Sequence, residues 1–102
     1  MSQFKKNLEA LPSIDHIASL EIVENPAIVI ENKPGKSGSL KVYNYLNEEF
    51  GALTVEAAKR GLVLFGEHTE EARHKPGSHP NIDFLFKVVD GDATLQMKIN
   101  KI

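Results

Sequence analysis

The chain has 102 residues, 41% hydrophobic and 25% charged, a balance that predicts one globular domain over residues 1–102 and excludes a disordered tail, a coiled coil or a collagen-like fibre. Lysine and arginine number 12 against 14 acidic residues, a formal charge of −2 with no long run of one sign, which argues against nucleic acid as a partner. There are no cysteines, so disulfides, zinc fingers, thiolate-held iron–sulfur clusters and thiol nucleophiles are excluded.

The missing cysteines fit the reducing cytosol. Met1–Lys6 leads into a polar amphipathic stretch with no signal-peptide core behind it, so a cytoplasmic location is expected. The longest apolar runs, Ala27–Ile30 and Leu62–Phe65, are four residues each, far short of the roughly 20 that span a bilayer. No membrane partner is expected. A chain this short buries roughly 60–70% of its unfolded surface on folding. That suffices for one thin core, and a site is expected as a surface cleft or a groove shared between subunits.

Ser2 is placed to cap a first helix running to about Ala10, whose apolar stripe is Phe4, Leu8 and Leu11. Pro12 and Ser13 interrupt it, and Ile14–Ala18 is ambiguous. Ser19–Glu24 and Ala27–Asn32 are rich in Ile and Val and predict two strands. Asn25-Pro26 between them favours a turn, so an antiparallel hairpin is the simplest arrangement. Leu20 and Ile22 share one face of it, Glu21 and Val23 the other. Lys33–Ser39 is a loop, and Ser39 is placed to cap a helix from Leu40 to Phe50 that Gly51 stops. Its stripe is Val42, Tyr43, Leu46 and Phe50.

Thr54 caps the longest helix, in which Val55, Ala58, Leu62, Phe65, Thr69 and Ala72 repeat at helical spacing. Gly61 and Gly66 each cost about 1 kcal/mol there; the long stripe argues that both are tolerated, with a break at Gly61 as the alternative. Thr54, Ala57, Ala58 and Gly61 form a small face open to close approach. Pro76-Gly77 suits the centre of a type II turn. Pro80 opens a last helix with Ile82, Leu85, Phe86 and Val89 inward and Gly91 at its end. Thr94–Ile99 alternates as a half-buried strand, with Leu95, Met97 and Ile99 inward. The expected fold is α+β: a small antiparallel or mixed sheet, made of the N-terminal hairpin and the C-terminal strand, with helices against one face.

Two regions carry candidate chemistry. In the first, Lys33, Lys36, Ser37 and Ser39 surround a glycine-bearing loop that feeds a helix start, an arrangement suited to a small anion. Gly35-Lys36-Ser37 resembles the end of a phosphate-binding loop, but Ile30 stands where that motif needs glycine, so a nucleotide triphosphatase is rejected. The bland alternative is a lysine-decorated connection. In the second, Glu67, Glu71 and His74 share a helix face at i, i+4, i+7, His68 lies three before Glu71, and His79 follows across the Pro-Gly turn. Imidazoles with a carboxylate suit a transition metal or a proton-transfer pair. The spacing matches neither His-Glu-x-x-His nor His-x-x-Glu-His, and a solvated helix face, with Glu70 paired to Arg73 or His74, is the bland alternative. His79 alternatively acts as a helix cap, Asp83 as a capping or dipole residue, and Tyr45 as a surface contact. No Gly-x-Ser-x-Gly or Gly-x-Gly-x-x-Gly motif occurs.

Three phrases carry a resemblance: Ile30-Glu31-Asn32-Lys33-Pro34-Gly35-Lys36, Gly66-Glu67-His68-Thr69-Glu70-Glu71-Ala72 and Pro76-Gly77-Ser78-His79-Pro80-Asn81-Ile82-Asp83. Together they resemble a family of bacterial proteins of about this length carried as a domain of unknown function. The resemblance implies a bacterial cytoplasmic protein and brings no activity and no catalytic residues. The functional expectation is a small binding or interaction module, with homodimer formation through open sheet edges. The alternative is a metal- or anion-dependent enzyme or ligand-binding protein using the Glu67–His79 region and the Lys33–Ser39 loop.

Overall fold

Leu20 pairs with Ile30 on one side and Ile99 on the other, and this row of apolar side chains starts the core. The structure, a computed structural model, describes residues 3–102. Strands β1 (Ile17–Ile22), β2 (Asn25–Glu31) and β3 (Met97–Lys101) form an antiparallel sheet in the order β2-β1-β3. Glu21 lies on the other face, opposite Val29 and Lys98, with its carboxylate 3.7 Å from the Lys98 ammonium.

Three details of the sheet differ from expectation. The hairpin turns at Val23-Glu24, and Asn25 already pairs with Ile22. Pro26 therefore belongs to β2. It is tolerated because β2 is an outer strand and its register is irregular there, so no central ladder bond is lost. The ambiguous stretch also resolves: β1 begins at Ile17, and the Asn32 side-chain amide fixes that start by donating to the carbonyls of Ile14 (3.1 Å) and Ile17 (2.8 Å). At the other end the regular strand is Met97–Lys101, shifted from Thr94–Ile99, and Leu95 instead forms an isolated bridge with Leu53.

Among the described residues five helices complete the fold: α1 (Gln3–Glu9), α2 (Ser37–Phe50), α3 (Val55–Leu64), α4 (Glu67–His74) and α5 (Pro80–Gly91). The expected Ser2 cap lies outside the described residues. Helix α2 lies on β1 and β2 and buries Leu40, Val42, Tyr43 and Leu46. Phe50, expected in that stripe, is 37% exposed where Gly51 (φ 76°) turns the chain away. Thr54 caps α3 as expected, its hydroxyl accepting from the Ala57 amide at 3.0 Å. No helix among the described residues is long and apolar enough to cross a membrane.

The long helix is two helices, and it breaks at Gly66, not Gly61. Gly61 stays helical, and a β-carbon there would lie 2.8 Å from a Leu85 methyl and 2.9 Å from a Leu46 methyl. The small face thus admits side chains of α5 and α2. Gly66 adopts φ +58°, ψ −126°, a conformation reserved for glycine, and a β-carbon would lie 2.9 Å from the Phe4 amide nitrogen. Its lack of a side chain lets α1 cross the α3–α4 junction. Helix α5 buries Ile82, Leu85 and Val88, while Phe86 and Val89 are only partly covered, so its inward face is rotated from the one read off the sequence. Asp92 (φ 49°) carries the left-handed turn after α5, one residue beyond the expected Gly91 stop.

Candidate functional site

The site is assembled by the turn between α4 and α5. His68 and Glu71 stand three apart on α4, so their side chains share a face, and His68 Nδ1 is 2.8 Å from Glu71 Oε1. The chain then reverses at Pro76-Gly77. Gly77 takes φ +93°, and the Ser78 amide closes the turn by donating to the Lys75 carbonyl at 3.1 Å. Asp83, in the first turn of α5, accepts from the Gly77 amide at 2.8 Å and so ties the turn to the helix that follows it.

This reversal delivers His79 to α4. His79 occupies the cap position of α5 but makes no side-chain capping bond, and its Nε2 lies 3.7 Å from Glu71 Oε2. One carboxylate thus faces two imidazoles, one with each oxygen. Donor atoms of His68, Glu71 and His79 all lie within 4.8 Å of one another, and the two rings are 5.1 Å apart.

Two aromatic side chains, Tyr43 and Phe4, hold this wall. Tyr43 on α2 is fully buried and donates its hydroxyl to the Asn81 carbonyl, two residues beyond His79. Burial pushes the phenol far above its usual range, so it remains a protonated donor. Phe4 stacks on Phe65 at 5.4 Å and meets the His68 ring edge-on at 4.9 Å. Sequence reasoning assigned both Phe4 and Tyr43 to the core. Their role in placing His68 and His79 had no local signal.

Two of the five residues expected in this cluster lie elsewhere. Glu67 turns toward α1, where its Oε1 accepts from the Phe4 amide at 2.9 Å. A carboxylate there also suits the positive end of the helix. His74 is exposed at the end of α4 and is not part of the group. The shared face at i, i+4, i+7 is real as helix geometry, but tertiary contacts pull Glu67 and Glu71 to different partners. Glu70 pairs with Arg73, as helical spacing predicts, and Arg73 lies 5.2 Å over the Phe86 ring.

The lysine–glycine region forms the facing wall. The Lys33 carbonyl accepts from the amides of both Lys36 and Ser37 at 2.9 Å, so α2 begins at Ser37, earlier than expected. Ser39 is therefore inside the first turn and does not cap; Lys36 is the cap residue and supplies no side-chain bond. Gly38 fits in that turn because Phe4 covers it, 3.0 Å from where a β-carbon would be. Among the described residues, neither the Gly38 nor the Ser39 amide has a backbone acceptor. Lys33 is engaged elsewhere, 3.0 Å from Glu31, whose carboxyl it holds below the usual range by hydrogen bond and charge.

Between the walls lies an open cleft of 680 Å³. Lys36, Ser37 and Ser39 line it together with His68 and His79, and Phe4, Leu8, Ile30 and Ile82 are among its apolar lining. The size suits a small organic ligand. Helix-start amides with a lysine favour an anion, and two imidazoles with a carboxylate can share a proton or ligate an ion. A family model described as "uncharacterized protein conserved in bacteria" (DUF2322) matches residues 4–99, whereas no curated protein and no solved structure matches the chain.

Proposed function

The chain belongs to this bacterial family of uncharacterized proteins, and from that premise we propose that it is a small-ligand-binding module whose cleft takes an anion-bearing molecule between the α2 start and the two histidines. The observation that carries the reading is the convergence of both candidate regions on one cleft, although more than thirty residues separate Lys36 from His68 in the chain. Phosphate or carboxylate would meet the Gly38 and Ser39 amides and Lys36, and an apolar body would lie on Leu8 and Ile82. The cysteine-free composition supports a place in the bacterial cytoplasm.

Titration with inorganic phosphate, followed by amide NMR, tests this. The expected result is saturable shifts at Gly38, Ser39 and His79, weakened in Lys36→Ala. Shifts spread evenly over surface lysines, or none at all, overturn it.

A second reading, pairing with another copy, draws support from the outer strands β2 and β3, since Val29 on β2 is 42% exposed and open edges template further pairing. Sedimentation at high concentration tests it, and a strict monomer ends it.

A further inference from the structure

We infer that His68, Glu71 and His79 form a binding site for a divalent transition-metal ion, zinc being the ion their chemistry fits best. The donor set selects the class of ion. Two neutral imidazoles and one carboxylate are borderline ligands that suit Zn²⁺, Ni²⁺, Co²⁺ or Fe²⁺. Mg²⁺ and Ca²⁺ need mostly oxygen, and one carboxylate does not supply it.

Ligand atoms around a tetrahedral zinc lie roughly 3–3.5 Å apart, given bonds of about 2.0–2.2 Å. Here Glu71 is already 2.8 Å from His68 Nδ1 and 3.7 Å from His79 Nε2, and the three donors span at most 4.8 Å. Closing the set takes side-chain rotation of about an ångström. The side chains have room for it, being 32%, 53% and 31% exposed for His68, Glu71 and His79.

Preorganisation sets this trio apart from chance neighbours on a surface. His68 and Glu71 share one helix face. His79 comes from the next element and is placed by the Gly77 turn, the Asp83 tether and the Tyr43 bond to Asn81. His79 also stands at a helix cap position without capping, so its imidazole is available to turn toward Glu71.

Three protein donors leave at least one coordination position open, the pattern of sites that exchange a ligand. Both imidazoles line the cleft, so that position is reached from it. The further statement that a cleft anion completes the coordination rests on the ligand reading above; the metal site itself does not.

The test uses tag-free full-length protein and isothermal titration with ZnCl₂ in phosphate-free buffer. One ion per chain is expected, with a rise in Tm that EDTA reverses. His79→Ala and Glu71→Ala should each weaken zinc by more than the roughly 10–100-fold typical of losing an outer-shell partner. His74→Ala, on the same helix but outside the cluster, should bind as the parent does. Melting curves of the metal-free variants identify any that fail to fold, and Glu71→Gln, which keeps the side chain's shape, replaces Glu71→Ala in that event. Co²⁺ loading should give the intense visible bands of a tetrahedral site, lost in His79→Ala. No zinc uptake by the parent, or uptake indifferent to His79 and Glu71, overturns the assignment. Phosphate is then added to the zinc form: tighter binding than to the metal-free protein supports the linked site. Zinc binding without any phosphate effect leaves the metal site standing and removes only the claim that a cleft anion completes it.

Discussion

The two walls of the cleft are held by different kinds of contact. The α2 wall is set up locally, since the Lys33 carbonyl gathers the next amides and the helix follows at once, with Phe4 packing on it only at Gly38. The histidine wall is assembled from a distance. His68 lies on α4 and His79 at the cap position before α5, and Gly66, Asp83, Tyr43 and Phe4 each fix one part of it. A local wall depends on few residues and tolerates change elsewhere. An assembled wall has many supports, and weakening one of them moves the chemistry without touching it.

The largest expected effect is at Gly66. Gly66→Ala forces a glycine-only conformation on alanine and drives a β-carbon against the Phe4 backbone, costing about 2–4 kcal/mol in urea unfolding. NMR should show the His68 ring and Gly38, both packed on Phe4, displaced together, while Lys36 and Ser37, whose amides the Lys33 carbonyl holds, are less disturbed. Equal disturbance of both walls would break the contrast.

Tyr43→Phe removes the buried donor to the half-buried Asn81 carbonyl and should cost about 1–2 kcal/mol. Faster amide exchange at the start of α5 is the specific readout, and an unchanged exchange rate there would remove Tyr43 from the supports of His79.

Glu67 and Glu71 sharpen the comparison within one helix. Glu67→Gln weakens the bond to the Phe4 amide and removes a charge from the α1 start, a loss of about 0.5–1 kcal/mol. Glu71→Gln should stay within about 0.5 kcal/mol of the metal-free parent, because Glu71 itself is half-exposed. The reverse order would assign Glu71 to stability and Glu67 to function.

The smallest effect belongs to Glu31 beside the α2 wall. Its folded pKa is depressed by Lys33, so its contribution to stability is present above the ordinary carboxylate range and is lost as pH falls through the depressed value. An NMR pH titration should show Glu31 returning toward the ordinary range in Lys33→Met. No change would mean that the ion pair at the loop is not formed in solution.

Much of the scaffold was legible where one residue decides its own geometry. Thr54 caps, Gly51 and Gly77 take left-handed turns, Pro80 opens α5, and the Leu20–Ile22 face is buried. Misreadings fell where two residues offered the same local signal. Gly61 and Gly66 cost a helix alike, and only the crossing of α1 selects Gly66 as the break. Asn25-Pro26 is a better turn pair than Val23-Glu24 by composition, but an outer strand accepts proline and the register with Ile22 decides. In the candidate site, Glu71 and the histidines were recognisable as chemistry, while the exclusion of Glu67 and His74 was not.

The sequence by itself determined the chemical vocabulary of this protein: no thiols, histidines concentrated near one helix end, a lysine–glycine helix start, and an α+β arrangement. Those follow from residue identity and from periodicities of a few residues. Only the tertiary structure decided that the two regions face each other across one cleft, and that His68, Glu71 and His79 form the cluster without Glu67 or His74. Side-chain convergence depends on contacts such as Phe4 to His68 and Tyr43 to Asn81, made between segments far apart in the chain. No local pattern encodes them.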